Sequence, residues 1–375
     1  MEAAGNIPGR RSLCIAIQQD AYSLDPEKYD ASSPRWAELL EKSGHQVKWV
    51  NVRHADILDQ IQGCHGFMWR WGHFQGMGRI ARRLLPVLER ELGLLVYPDQ
   101  NTCWHYDDKV AQAYLLPAAG LPVPRTWAWF DPTAARDWAG QASYPLVLKL
   151  SGGAGSTNVR LVRTADEARL WIDRLFSRRV VTLAEEQFQP MAWKRRFRAA
   201  IRALRDGVEP VLGDDGFEPQ SGYALFQEFL PDNTFDTRVT VVGKRAFAFR
   251  RFNRPNDFRA SGSGNVSTDP KQIDPEFIRL AFQSAKVLGT QSCAMDGLRR
   301  GHERVIGEIS YTYISWIVHA CPGHWELEGD PESGRLEWVP GQMWPEEAQM
   351  DVFLRQLAAR WPDAEAQSKK LQADV

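Results

Sequence analysis

The stretch Tyr144–Arg163, YPLVLKLSGGAGSTNVRLVR, decides how the rest of the 375-residue chain is read. Tyr144 to Leu150 is an apolar run whose β-branched and aliphatic residues suit a buried strand. It carries one cation, Lys149, and leads straight into Ser151-Gly152-Gly153-Ala154-Gly155-Ser156-Thr157. A second short strand is expected at Val159 to Arg163. Three glycines in four positions allow positive φ and close backbone approach, so several N–H groups can converge on an anion. A Rossmann fingerprint needs strand, glycine loop, helix; here the order is strand, glycine flap, strand, and there is no GxxxxGK[ST] P-loop. A hairpin lid over a triphosphate is the functional reading, a plain glycine turn the bland one.

Before this stretch, strands are expected at Leu13–Gln18, Val47–Val52, Gly66–Trp71 and Leu94–Tyr97. Helices are expected between them at Ser33–Lys42, Ala55–Ile61 and Arg79–Leu92. Such alternation predicts an open parallel α/β layer over about the first hundred residues. Trp69-Arg70-Trp71-Gly72-His73 falls where a strand's C-terminal end meets its loop, the usual ligand edge of such sheets. Arg70 and His73 are therefore candidate substrate contacts, or else surface residues beside core tryptophans. Asp107 or Asp108 can cap a helix from Lys109 to Ala119, which Gly120 and Pro122 close. Lys109 then lies in the first turn, a poor place for a cation unless it faces an anion.

Composition bounds the class. A hydrophobic fraction of 43% and a charged fraction of 25% describe an ordinary globular chain with material for two or three cores. The formal net charge of -1 gives no electrostatic case for nucleic acid or an anionic membrane. Five scattered cysteines with no CxxC read as reduced residues, not as a disulfide framework or zinc site. The short apolar run near the N-terminus is too brief for a signal sequence, and a cytoplasmic location is expected.

After the flap a helix is expected at Thr164–Phe176. Trp193–Arg205, WKRRFRAAIRALR, reads as a basic amphipathic helix, either solvated or docking an acidic substrate or partner. LFQEFL at Leu225–Leu230 stops at Pro231 and is followed by Asp236 and the strand Arg238–Val242. A turn at Gly243-Lys244 and a strand Ala246–Phe252 complete a hairpin rich in arginine, in which alternation lets Arg238 and Arg250 share a face. Phe258–Thr268, FRASGSGNVST, is a second glycine-serine loop, with Arg259 and Asn265. A helix at Pro275–Leu288 precedes strands Ser292–Leu298 and Val305–Ile309, which carry Asp296 and Glu308. Carboxylates inside short apolar strands are costly without a cation, so the pair suggests magnesium, with a paired arginine as the alternative.

Taken together, Lys109, Lys149 before the flap, QEFL, DTRVTVVG and MDGL…GEIS resemble the ATP-grasp superfamily over roughly residues 100 to 325. The resemblance implies an α/β protein with the ATP-grasp fold, two α+β subdomains gripping ATP, preceded by an open parallel α/β domain. The implied boundaries are 1–103, 104–230 with flap and hinge, and 231–375 with the metal ligands. Lys109 and Lys149 would hold the α- and β-phosphates, and Gly152, Gly153, Gly155 and Ser156 would close over the triphosphate. Glu228, with the backbone of Gln227, Phe229 and Leu230, would read the adenine edge, and Asp236 would bind the ribose. Arg238 and Arg251 would neutralise the transferring phosphate. Asp296 and Glu308 would hold Mg²⁺, with Ser310 where the family normally has asparagine.

The resemblance further implies an ATP- and Mg²⁺-dependent carboxylate–amine (or thiol) ligase working through an acyl phosphate. Glutathione-synthetase-like and peptide-modifying ligases are the similar relatives. The expected substrates are small carboxylates and amines, anionic or peptidic, with Arg70, His73, Arg259 and Asn265 as contacts. A homodimer is compatible with the family. A small-molecule kinase of the same fold and a non-catalytic ATP sensor are the competing expectations. The segment Tyr311–Trp344, with Trp316, His319, Cys321, His324 and Trp325, is read either as acceptor pocket or as core.

Overall fold

The computed structural model describes residues 12–20, 31–72, 76–153, 158–180, 183 and 220–362. The elements up to the flap are β1 (Cys14–Gln18), α1 (Ser33–Lys42), β2 (Gln46–Val50), α2 (Ile57–Gln60), β3 (Gly66–Met68), α3 (Met77–Pro86), β4 (Leu95–Tyr97), α4 (Gln100–Cys103), α5 (Lys109–Ala118), β5 (Thr126–Trp129), α6 (Pro132–Ala139) and β6 (Leu146–Lys149). Those after it are β7 (Val159–Val162), α7 (Ala165–Ser177), β8 (Ala224–Glu228), β9 (Phe235–Val242), β10 (Arg245–Phe252), β11 (Val266–Ser267), α8 (Pro275–Leu288), β12 (Ser292–Arg300), β13 (Glu303–Ser310), α9 (Ser315–His319), β14 (Gly323–Glu328), β15 (Arg335–Pro340) and α10 (Pro345–Arg360).

Among the described residues these strands form three sheets. The first is parallel, in the order β2-β1-β3-β4. Alternation along β1 sends Ile15 and Ile17 to one face and Ala16 to the other. The Ile face packs on Trp36 of α1 and on Met350, Phe353 and Leu357 of α10. The opposite face packs on Met77, Ala81 and Leu85 of α3. Phe353 lies so close to β3 that a Cβ at Gly66 would meet its ring at 2.9 Å. Helix α10, far along the chain from β1 and β3, is thus part of the first sheet's core.

The second sheet, β5-β8-β6-β7, is antiparallel and carries α6 and α7 through Ala135, Ala139, Trp171 and Ile172. The third runs β13-β12-β9-β10-β14-β15, with β11 on β10. Its inner face packs on Phe277, Ile278 and Ala281 of α8. Gly297 has no side chain because Phe277 would lie 2.5 Å from a Cβ there.

Two expectations change. The helix expected over Arg79–Leu92 ends at Pro86 and continues as a π turn, Val87–Glu91. Proline has no N–H for the ladder and its ring crowds the preceding turn, so the wider turn takes up the register. The segment after Tyr311 is neither wholly core nor wholly pocket. Cys321, His324 and Trp325 are buried and β14–β15 extends the third sheet, whereas Trp316 is exposed. No helix among the described residues is long and apolar enough to cross a membrane.

Candidate active site

Register on the third sheet assembles the charged residues. Asp296 of β12 stands opposite Arg238 of β9 on one side and Glu308 of β13 on the other. Asp236 stands opposite Arg251 of β10. With side chains alternating along each strand, Asp236, Arg238, Arg251, Asp296, Glu308 and Ser310 all leave the same face. Arg250 does not share it. It pairs with Thr237 and lies over the Phe235 ring at 4.2 Å on the other face, because a neighbour on a strand always points the opposite way.

The cations and carboxylates on this face form a chain. Arg238 grips Asp296 with two bonds, Nε–Oδ1 2.6 Å and Nη2–Oδ2 2.8 Å. Arg251 grips Asp236 at 2.8 and 2.6 Å and also reaches Asp296 Oδ2 at 2.6 Å. Burial opposes the charge of Asp296, but the two guanidiniums outweigh it and hold its carboxyl well below the usual range.

The lysines approach from the second sheet and from α5. Asp108 caps α5 by accepting from Ala111 N at 2.9 Å, which sets Lys109 in the first turn. Its Nζ is 3.1 Å from Glu308 Oε1. Burial works against this ammonium, yet Glu308 and Asp107 keep its pKa above that of an ordinary lysine. Lys149, last residue of β6, places its Nζ 3.5 Å from the Gly307 carbonyl. Burial pushes its pKa down to about 8, with Glu308 opposing and Lys109 adding to the fall. Lys109, Gln112, Thr126, Lys149, Gln227 and Gly307 line a narrow cleft between the two sheets.

The root of the flap is tied to α5. Gly153 N donates to Asp107 Oδ1 at 2.7 Å, Ser151 Oγ to Asp108 Oδ1 at 2.7 Å, and Asn158 Nδ2 to the Gly152 carbonyl at 2.8 Å. Gly153 has φ +131°, and a Cβ there would come within 2.6 Å of Asn158 Nδ2, so only glycine serves. Gly155, Ser156, His73 and the basic stretch 193–205 lie outside the described residues.

The remaining candidates separate. Of the hinge residues Gln227 lines the cleft, its amide donating to Thr126 Oγ1 at 3.1 Å. The Glu228 carboxylate turns to Arg125 N at 3.1 Å and Arg300 Nη1 at 3.5 Å. Phe229 meets Phe258 edge-on, and the Leu230 carbonyl accepts from Asn233. Arg259 is clamped on Asp257 and reaches the Val159 carbonyl at 3.4 Å, beside the flap. The Asn265 carbonyl accepts from Phe252 N. Arg70 belongs to a separate cavity.

Sequence reading overlooked Gln112 and Asp107. Gln112 binds both backbone groups of Ile309, Nε2 to O at 2.7 Å and Oε1 from N at 3.2 Å. It thereby locks α5 to the strand of Glu308. Asp107 has φ +54° and burial raises its pKa to about 6, against the pull of Lys109. The Asp107-Asp108 doublet was the available signal, and it read only as a cap.

Asp296 and Glu308 offer hard oxygen donors on one face, and Glu308 is one-third exposed. That chemistry fits magnesium, which commonly takes one or two carboxylates and completes its shell with waters and phosphate oxygens. Ser310 Oγ donates to the Thr312 carbonyl at 2.9 Å. Among the described residues no three His, Cys, Asp or Glu groups cluster as a metal site, so waters and phosphate would have to supply the remaining ligands.

No family model matches the chain. It is 25% identical over 293 residues to a probable alpha-L-glutamate ligase of Methanococcoides burtonii, covering 74% of this chain and 83% of that one. It is 24% identical over 203 residues to the alpha-aminoadipate–LysW ligase LysX of Saccharolobus solfataricus, covering 54% of this chain but only 60% of LysX. Among solved structures it resembles the ATP-grasp ligase PsnB in complex with a minimal precursor, with a TM-score of 0.50 and 15% identity, over 92% of this chain and 99% of that one.

Proposed function

We propose that this chain, which carries the ATP-grasp fold, is an ATP- and Mg²⁺-dependent ligase that joins a carboxylate to an amine or a thiol through an acyl phosphate. The observation that carries the reading is the cleft between the second and third sheets. Buried Lys109 and half-buried Lys149, from different elements, both line it, Lys109 bonded to Glu308 and Lys149 reaching the Gly307 carbonyl, beside the Asp296–Glu308 pair. Phosphoryl transfer asks the protein for alignment and charge neutralisation more than for covalent chemistry. In this reading Lys109 and Lys149 hold phosphate oxygens, and Gln227 with the hinge backbone reads the base. Glu228 supports that hinge through Arg125 and Arg300. Asp236 is the candidate ribose ligand, and it would have to share its carboxylate with Arg251. Arg238 and Arg251 bear on the transferring phosphate from the same sheet face. Asp296 and Glu308 would hold magnesium, which when bound neutralises phosphate oxygens.

The substrate is an amino acid, peptide or sugar acid, entering from the side of Arg70. The flap excludes water, which would otherwise hydrolyse the acyl phosphate. The test is phosphate release from ATP and Mg²⁺ against a panel of carboxylates and amines, with mass spectrometry of the products. ADP, phosphate and a condensed product support the ligase; a stable phosphoester, or nucleotide binding without turnover, overturns it.

A further inference from the structure

Asp107 stands two residues before Lys109, and the ligase reading gives it no task. Its backbone takes φ +54°, a left-handed conformation that aspartate and asparagine tolerate better than other side chains. From that turn its carboxylate reaches the root of the glycine stretch. Oδ1 accepts from Gly153 N at 2.7 Å. Oδ2 lies so near Gly152 that a Cβ there would meet it at 3.0 Å. Lys109 and Arg82 attract this carboxylate, and Glu308 repels it.

The neighbouring ammonium is matched in the same way. Lys109 Nζ is 3.1 Å from Glu308 Oε1, 3.4 Å from the Gly153 carbonyl and 3.5 Å from the Ser151 carbonyl. An ammonium has three donors, and these three oxygens can take them all. Backbone N–H groups of a glycine-rich turn suit an anion, and Gly153 N already holds one. The donors with which this end of the cleft would meet a phosphate oxygen are therefore engaged by acceptors of the chain itself.

A phosphate chain placed there would compete with Asp107 for Gly153 N and for the field of Lys109. The two anions would also repel one another across a half-buried site, where charges are weakly screened. A neutral acceptor would hold Gly153 N without that repulsion. We propose that Asp107 is an intramolecular stand-in for phosphate, an autoinhibitory contact that a nucleotide must displace before its phosphates reach Gly153 N and Lys109. The inference rests on the nucleotide-binding part of the ligase reading. A structural bond or a further magnesium ligand would make Asp107 a help to nucleotide binding; a stand-in makes it a hindrance, so the sign of one substitution separates them.

The test is calorimetry on the full chain with ADP and with pyrophosphate, each in Mg²⁺ and in EDTA, beside melting curves. Asp107→Asn suits the left-handed turn and keeps an acceptor for Gly153 N while removing the charge. It should tighten ADP and pyrophosphate about tenfold, the scale of one relieved charge repulsion at close range. Adenosine, which brings no phosphate, should change by less than about twofold in saturation-transfer competition. The melting temperature should stay level or fall, because a charge-assisted bond is weakened. Affinity and stability thus move apart, which a purely structural residue would not produce. Asp107→Gly, free of the positive-φ penalty, should tighten ADP in the same direction and serves if Asp107→Asn does not fold. Unchanged or weaker ADP binding in both variants overturns the inference and leaves the nucleotide site standing. A loss confined to the Mg²⁺ titrations makes Asp107 a metal ligand and overturns it too. Failure of the unsubstituted chain and both variants to bind ADP overturns the inference together with the ligase reading.

Discussion

Asp296 and Glu308 face one another across the β12–β13 ladder, yet different cations hold them: Arg238 and Arg251 for Asp296, Lys109 for Glu308. Their substitutions should therefore diverge. Asp296→Asn strips a buried partner from two guanidiniums and should cost about 3 kcal/mol of stability as well as turnover. Glu308→Gln, at a partly exposed position, should cost about 1 kcal/mol while abolishing magnesium-dependent phosphate release. Melting curves beside a phosphate assay separate the two. Full activity in the Glu308 variant would remove it from the metal site.

Lys149→Ala should lower nucleotide affinity by roughly tenfold to a hundredfold, the scale of one charge-assisted bond. Calorimetry with ADP and Mg²⁺ reads this directly, and an unchanged dissociation constant would count against a phosphate role.

Lys149 also gives the cleft a pH dependence. Burial lowers its pKa to about 8, and phosphate in contact would favour its charged form. Binding should therefore take up a proton above about pH 8 and none through this group at pH 7. Affinity should fall as pH rises through 8, by at most about tenfold per unit. Titrations in buffers of different ionisation enthalpy measure the uptake, and Lys149→Met should erase it.

Gln112→Leu leaves both backbone groups of Ile309 without their side-chain partner in a buried place. A loss of about 2–4 kcal/mol is expected, with a raised KM for ATP because Lys109 loses its register with Glu308. Unchanged stability would show that the link between α5 and β13 lies elsewhere.

Phe353→Ala empties the space above Gly66 and should cost about 3–5 kcal/mol. The loss should appear in hydrogen exchange of β1 and β3, although the substitution lies in α10. Exchange faster only within α10 would contradict the shared core.

Helices and strands were legible wherever period and capping were local: α1 and α8 match their expected limits, and Asp108 capping marks Lys109 from sequence alone. The β6–β7 hairpin around the glycine stretch was legible too, whereas residues 154–157 of that stretch lie outside the described residues. Pairing between distant strands was not. Nothing local to Arg250 and Arg251 says which of them joins Arg238, since one residue of register exchanges them. Gln112, Asp20 and Glu346 stayed hidden for the same reason. Their partners are long-range, as in the Ser32–Glu346 bond across 314 positions, and an isolated polar residue carries no sign that it will be buried.

The packing of α10 on β1 and β3 inverts the order of assembly. The first sheet precedes α10 in the chain and is synthesised before the helix that covers one of its apolar faces. Until then Ile15, Ile17 and Met68 have no Phe353 or Leu357 against them, and the nascent amino-terminal half exposes a surface that chaperones recognise. A chain cut short before Pro345 would lose that cover at β1 and β3, far in sequence from the cut.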